Sequence, residues 1–136
     1  MADQTTGDII ARQEWLEPLE SGLQNTVRKT FEAGGDAGRK VEDFLHGAWL
    51  GDPLHAALTD IPIGSWTAAV AMDALESVTG NSKLGAGADA AIGIGLVGAV
   101  AAAITGLTDW KDVEGTPRRV GLVHGILNLS GAALFG

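Results

Sequence analysis

Two histidines, His55 and His124, and two carboxylates, Asp60 and Asp109, stand in or at the edges of apolar runs. An ionisable side chain is costly there and calls for a partner or a use. Four chemistries suit them. Two imidazoles on facing helices hold one b-type haem as axial ligands, and Asp60 or Asp109 then accepts an outward ring hydrogen and fixes the tautomer. The same histidines with Asp60 make an acceptable divalent metal site. A histidine pair also relays protons near neutral pH. In the fourth reading each polar group simply bonds its neighbours and keeps the helices in register. The candidate metal ligands are therefore His55 and His124. Asp60, Trp66 and Asn128 are added as cofactor contacts, although core packing is the better reading of Trp66. No nucleophile-and-base arrangement is visible, so no catalytic residue is assigned and the reading leans away from an enzyme.

Composition limits the partners. The net charge of −8 argues against nucleic acid, whose phosphates are held by a surplus of lysine and arginine. With no cysteine in 136 residues, disulfides, thiolate metal sites and iron–sulfur ligation by this chain are excluded. The start, MADQTTGDII, has neither the positive end nor the apolar core of a cleavable signal peptide.

The elements that must position these residues follow from where charge falls. The first 53 residues carry ten of the seventeen acidic and five of the nine basic side chains, whereas residues 90–108 carry none. Residues 1–11 show no periodicity and are expected to fray. Trp15, Leu16, Leu19, Leu23, Val27 and Phe31 then recur at helical spacing, with Pro18 in a first turn and Gly34–Gly35 as the stop. A second amphipathic helix is expected from Ala37 to Leu50, carrying His46 as a solvated surface histidine. The division is thus residues 1–52, an amphipathic helical region on the membrane's cytoplasmic face, and residues 53–136, a transmembrane helical domain.

Spans are expected at about 56–78, 88–110 and 119–136, since about 20 apolar residues cross a bilayer core. In the first, capping by Asp60 with a span from Ile61 is the simpler arrangement, because Pro62 is cheap in a first turn and costs about 3 kcal/mol inside a helix. In the second, Gly95, Ala99 and Ala103 fall four apart and offer a smooth face to another helix. Trp49 and Trp110 flank span ends, as interfacial tryptophans do. Arg118–Arg119 is suited to anionic lipid or to Asp109, Asp112 or Glu114. Counting Lys and Arg around the spans puts the N-terminus in the cytoplasm. The fold class is all-α, an integral membrane bundle of three transmembrane helices with an amphipathic N-terminal region. The third run ends without a polar tail, so a longer gene product is expected.

The runs LHGAWLGDPLHAALTDIPIGSWTAAVAMD, AAAITGLTDW and GTPRRVGLVHGILNL, in that order, resemble the bacterial membrane family catalogued as domain of unknown function 2231, over roughly residues 45–136. The resemblance implies a small multi-helix integral membrane domain. Some similar chains continue into a Rieske-type iron–sulfur domain, which implies a link to electron transfer. Such chains usually carry histidine-proline where this one reads Gly51–Asp52–Pro53–Leu54–His55–Ala56, so Asp52 replaces one histidine and Ala56 a proline. The family looks like a four-helix domain, whereas three spans fit here.

The expectation from residues and resemblance together is a multi-pass protein of the cell inner membrane. It carries electrons on haem b between His55 and His124, with the lipid bilayer and a Rieske-type protein or larger membrane complex as partners. The alternative is a non-catalytic structural or anchoring subunit of such a complex.

Overall fold

The computed structural model describes residues 5–135, and they fold as helices without a strand. In chain order the helices are α1 (Thr6–Ala11), a 3-10 turn (Glu14–Leu16), α2 (Glu17–Ala33), α3 (Gly35–His46), α4 (Leu54–Thr79), α5 (Ser82–Trp110) and α6 (Gly115–Phe135). The all-α expectation holds. Residues 6–11 do not lack structure: Thr5 caps α1 and exchanges bonds with Asp8 in a capping box, which gives a weakly apolar segment its start.

α4 and α5 form an antiparallel hairpin, turned at Gly80 (φ 69°) and restarted by Asn81, whose side chain accepts from the Lys83 amide. Its register can be followed through close approaches. Met72 lies against Gly87, Trp66 against Gly95, Ile61 and Pro62 against Gly98, and the His55 ring against Gly106. Numbers fall on α4 as they rise on α5. A Cβ at Gly98 would stand 2.5 Å from Ile61 Cγ2, so the backbones meet there only because the position has no side chain.

Two expectations about this hairpin change. α4 runs unbroken from Leu54 with Pro62 inside it, and Asp60 does not cap it. Pro62 is buried against α5, where its ring fills space beside Gly98. That packing offsets the missing amide, as neighbouring helices do in membrane proteins. The packed face of α5 is also not Gly95–Ala99–Ala103. Gly95, Gly98, Ala102 and Thr105 are buried, while Ala103 is exposed. At 3.6 residues per turn a strict four-residue step drifts about 40° each time, so alternating steps of three and four hold one face.

The N-terminal helices close over the α5–α6 connection. The core there is Leu16, Trp110 and Leu122, flanked by Leu23, Val113 and Val123. α2 also presents two buried polar side chains. Gln24 donates to the carbonyls of Trp110 (2.9 Å) and Val113 (2.8 Å). Glu20, with 0% of its surface exposed, accepts from Arg118 Nε at 2.9 Å and Arg119 Nε at 2.8 Å. The connection's carbonyls and guanidinium groups need partners once water is excluded. Polar residues therefore take part of the face that the apolar pattern assigns to leucines, and Trp15 and Leu19 are left exposed. Arg118–Arg119 is thus satisfied by Glu20, with a longer contact from Arg118 to Glu17. Trp110 is buried, its indole N–H donating to Arg118 O at 2.6 Å, and is not an interfacial tryptophan.

Candidate functional site

His55 lies in the first turn of α4 and His124 midway along α6, and their ring centroids are 6.5 Å apart with planes at 86°. The hairpin brings His55 onto α5, where its ring rests on Gly106 and Nδ1 meets Ala102 O at 2.8 Å. A carbonyl only accepts, so Nδ1 carries the hydrogen and the free lone pair is at Nε2. On α6, Asn128 Nδ2 lies 2.8 Å from His124 O and 3.1 Å from His124 Nε2. An amide nitrogen only donates, so Nε2 of His124 is the accepting atom. In the neutral rings the lone pair of His55 thus falls at Nε2, whereas Nε2 of His124 is engaged by Asn128.

α6 is anchored near its start, where Gly121 takes the edge of Trp110, and at its end, where Phe135 stacks on Trp66 at 4.6 Å and 4°. Between these contacts His124 and Asn128 remain exposed. The indole N–H of Trp66 is buried and has no hydrogen-bond partner. Trp66 thus packs on Gly95 and Phe135, about three helical turns along α4 from His55.

The other expected contacts separate. Asp60 is exposed and does not orient His55, whose ring hydrogen goes to the Ala102 carbonyl. Asp109 faces His46, with Oδ1 2.6 Å from Nδ1, so His46 is half-buried and paired, not simply solvated. Glu42 lies 3.7 Å from His46 Nε2 and 2.5 Å from Lys111 Nζ. Lys111 is buried and also bonds Asp112, which Arg28 reaches at 3.4 Å. Burial pulls the Lys111 ammonium down, but the bonds from Asp112 and Glu42 outweigh it and hold its pKa above the usual value. Asp112 is held below the usual carboxylate value, chiefly by the bond from Lys111.

The donor set suits some of the sequence-derived chemistries better than others. Metal–imidazole bonds of about 2 Å on each side of one ion, with the ring radii added, give roughly the separation seen between His55 and His124. The spacing alone would admit two imidazole donors to one ion, once Asn128 releases Nε2 of His124. Among the described residues no group of three or more His, Cys, Asp or Glu side chains converges, so a closed tetrahedral site lacks donors.

α5 is the one helix among the described residues that is long and apolar enough to cross a membrane, and 22% of that apolar window is buried. A core helix of a water-soluble bundle would be mostly covered. Instead Ile94, Val97, Val100, Ile104 and Leu107 are exposed at helical spacing. A family model described as a predicted membrane protein, DUF2231, matches residues 51–136. The chain belongs to that family. The match begins at the turn before α4 and takes in the hairpin, α6 and the histidine pair, leaving α1–α3 outside it. No curated protein and no solved structure matches the chain.

Sequence reasoning missed Glu20 and Gln24. The available signal was their spacing: with Leu16, they fall four apart on one side of α2.

Proposed function

We propose that this chain is a multi-pass inner-membrane domain that holds a b-type haem between α4 and α6 and carries electrons. The observation that carries the reading is the histidine pair, with ring centroids 6.5 Å apart and Nδ1 of His55 turned to the Ala102 carbonyl. His55 and His124 would be the residues that hold it. The Ala102 carbonyl fixes the tautomer and direction of His55, and Gly106 gives its ring room. Trp66 stacks on Phe135 farther along α4 and α6, and Asn128 would orient the His124 ring. The haem, when bound, supplies one-electron oxidation and reduction.

Support for three spans is length. α4 has 26 residues and α6 has 21, about 39 and 31 Å at 1.5 Å per residue against a hydrocarbon core of about 30 Å. Lysine and arginine near the span ends support a cytoplasmic N-terminus. An iron–sulfur electron partner is proposed from what the family resemblance implies. The test is the absorption spectrum of protein purified after haem supplementation. A Soret band that disappears in the His55→Ala/His124→Ala double variant is expected. A wild-type protein without the band sinks the proposal.

A second reading, a structural or anchoring subunit, is favoured by the exposed valines and isoleucines of α5. It expects the double variant to keep both assembly with its complex and the complex's activity. Val97→Trp, on the outward face, should then weaken assembly.

A further inference from the structure

The last turn of α3 and the link to α4 carry a second feature that the histidine pair does not use. Val41, Phe44, Trp49 and Leu50 are all exposed, Phe44 at 56% and Trp49 at 60%. They do not project at random. Phe44 and Trp49 stack at 5.5 Å with planes 11° apart, and the Trp49 indole donates to the Phe44 carbonyl at 3.1 Å. The turn that folds Trp49 back is fixed by Gly47 (φ 81°), where a Cβ would collide with the backbone at Asp52 and Leu54. Gly47 O also accepts from the amides of Leu50 (2.8 Å) and Gly51 (3.2 Å). The aromatic pair is therefore held rigidly, with its one N–H already satisfied.

We propose that this patch is an interfacial anchor that inserts into the headgroup and upper acyl layer of a phospholipid bilayer. The position argues for lipid as the occupant. α4 starts at Leu54, four residues after the patch, and runs antiparallel to α5, the apolar helix with its uncovered face. The patch thus stands at the level where the hairpin leaves the bilayer, the depth at which tryptophan rings are enriched. On the other side of α3, His46 and Glu42 bond Asp109 and Lys111 at the end of α5. That docking turns the apolar side outward and fixes its height against the span. The inference rests on α5 lying in a bilayer and not on the histidine pair.

The absence of cysteine makes a single introduced thiol unique. Trp49→Cys, Val97→Cys and Asp36→Cys in the full chain are labelled with bimane and reconstituted in phosphatidylethanolamine–phosphatidylglycerol vesicles containing nitroxide lipids. The expected result is loss of emission at 49, greatest with the nitroxide at the headgroup, and at 97, greatest with a deep nitroxide. The label at exposed Asp36 should respond to aqueous iodide alone. Leu50→Cys repeats the measurement should Trp49→Cys lose its helical circular dichroism. Quenching at 97 with none at 50 or 49 overturns the anchor. Iodide access would then mean plain solvent exposure, and protection from both quenchers a protein contact. A label at 97 untouched by lipid would instead remove α5 from the bilayer and the anchor with it.

Discussion

Glu20 Oε1 and Arg119 Nε are 2.8 Å apart although 99 positions separate them in the chain. Arg119 also donates to the Ala11 carbonyl at 2.6 Å, and Arg118 holds the second oxygen of Glu20. One fully buried carboxylate thus ties α1 and α2 to the start of α6. Removing one partner of a buried pair leaves a charge uncompensated and costs about 3–5 kcal/mol. Glu20→Ala is therefore expected to release the N-terminal helices, seen as faster tryptic cleavage at Arg28 and Lys29. Unchanged cleavage would mean that the apolar contacts of Leu16 and Leu23 suffice.

The hairpin seam gives a paired prediction. A Cβ at Gly98 meets Ile61 and Pro62, whereas one at Gly93 meets open space. Gly98→Ala should lower stability by about 1–3 kcal/mol through overpacking. Gly93→Ala should be neutral or stabilise by up to about 1 kcal/mol. Thermal unfolding in mild detergent distinguishes them, and equal midpoints would refute the register.

The His55 tautomer is directly measurable. Nitrogen NMR of the histidines should find a hydrogen on His55 Nδ1, bonded to Ala102 O. In Gly106→Ala the added methyl would lie 2.8 Å from Cε1 and 2.9 Å from Nδ1. The ring must then move, and the Nδ1 signal should lose its hydrogen-bonded shift. A ring unaffected by that methyl would show that it does not rest on Gly106.

The clamp around Lys111 has a defined pH window. Asp112 is depressed below 3.8, so its contribution is complete above that value and is lost as acid protonates it at lower pH. Lys111 is raised above 10.5, so its contribution is complete below that value and is lost as base neutralises it at higher pH. In a His46→Asn background, which removes the imidazole between Asp109 and Glu42, tryptic protection of the α2–α3 segment should be flat across neutral pH. Exchange protection there, corrected for the intrinsic pH dependence of amide exchange, should fall toward the two extremes. Lys111→Met, which strands Glu42 and Asp112 without their ammonium, should loosen the segment throughout.

Much of this arrangement was legible in the chain. Uncharged residues 90–108 announce α5, Gly34–Gly35 ends α2, and the approach of His55 to His124 follows from three helices joined by short turns. Other features depend on contacts that no local pattern carries. Pro62 stays inside α4 because Gly98 lies opposite it. Asp109 binds His46, and Glu20 binds Arg118 and Arg119, because the end of α5 is closed by helices far earlier in sequence. Periodicity finds the buried side of α2, but it cannot show that the opposing surface is made of carbonyls and guanidinium groups.

The long reach of Glu20 also sets an order of events at the ribosome. Its two guanidinium partners emerge 98 and 99 residues later, a delay of about 5–20 s at synthesis rates of about 5–20 residues per second. Through that interval α2 has no partner for its carboxylate, and the clamp cannot close until the hairpin is made. The N-terminal helices, first to be translated, are among the last to be fastened.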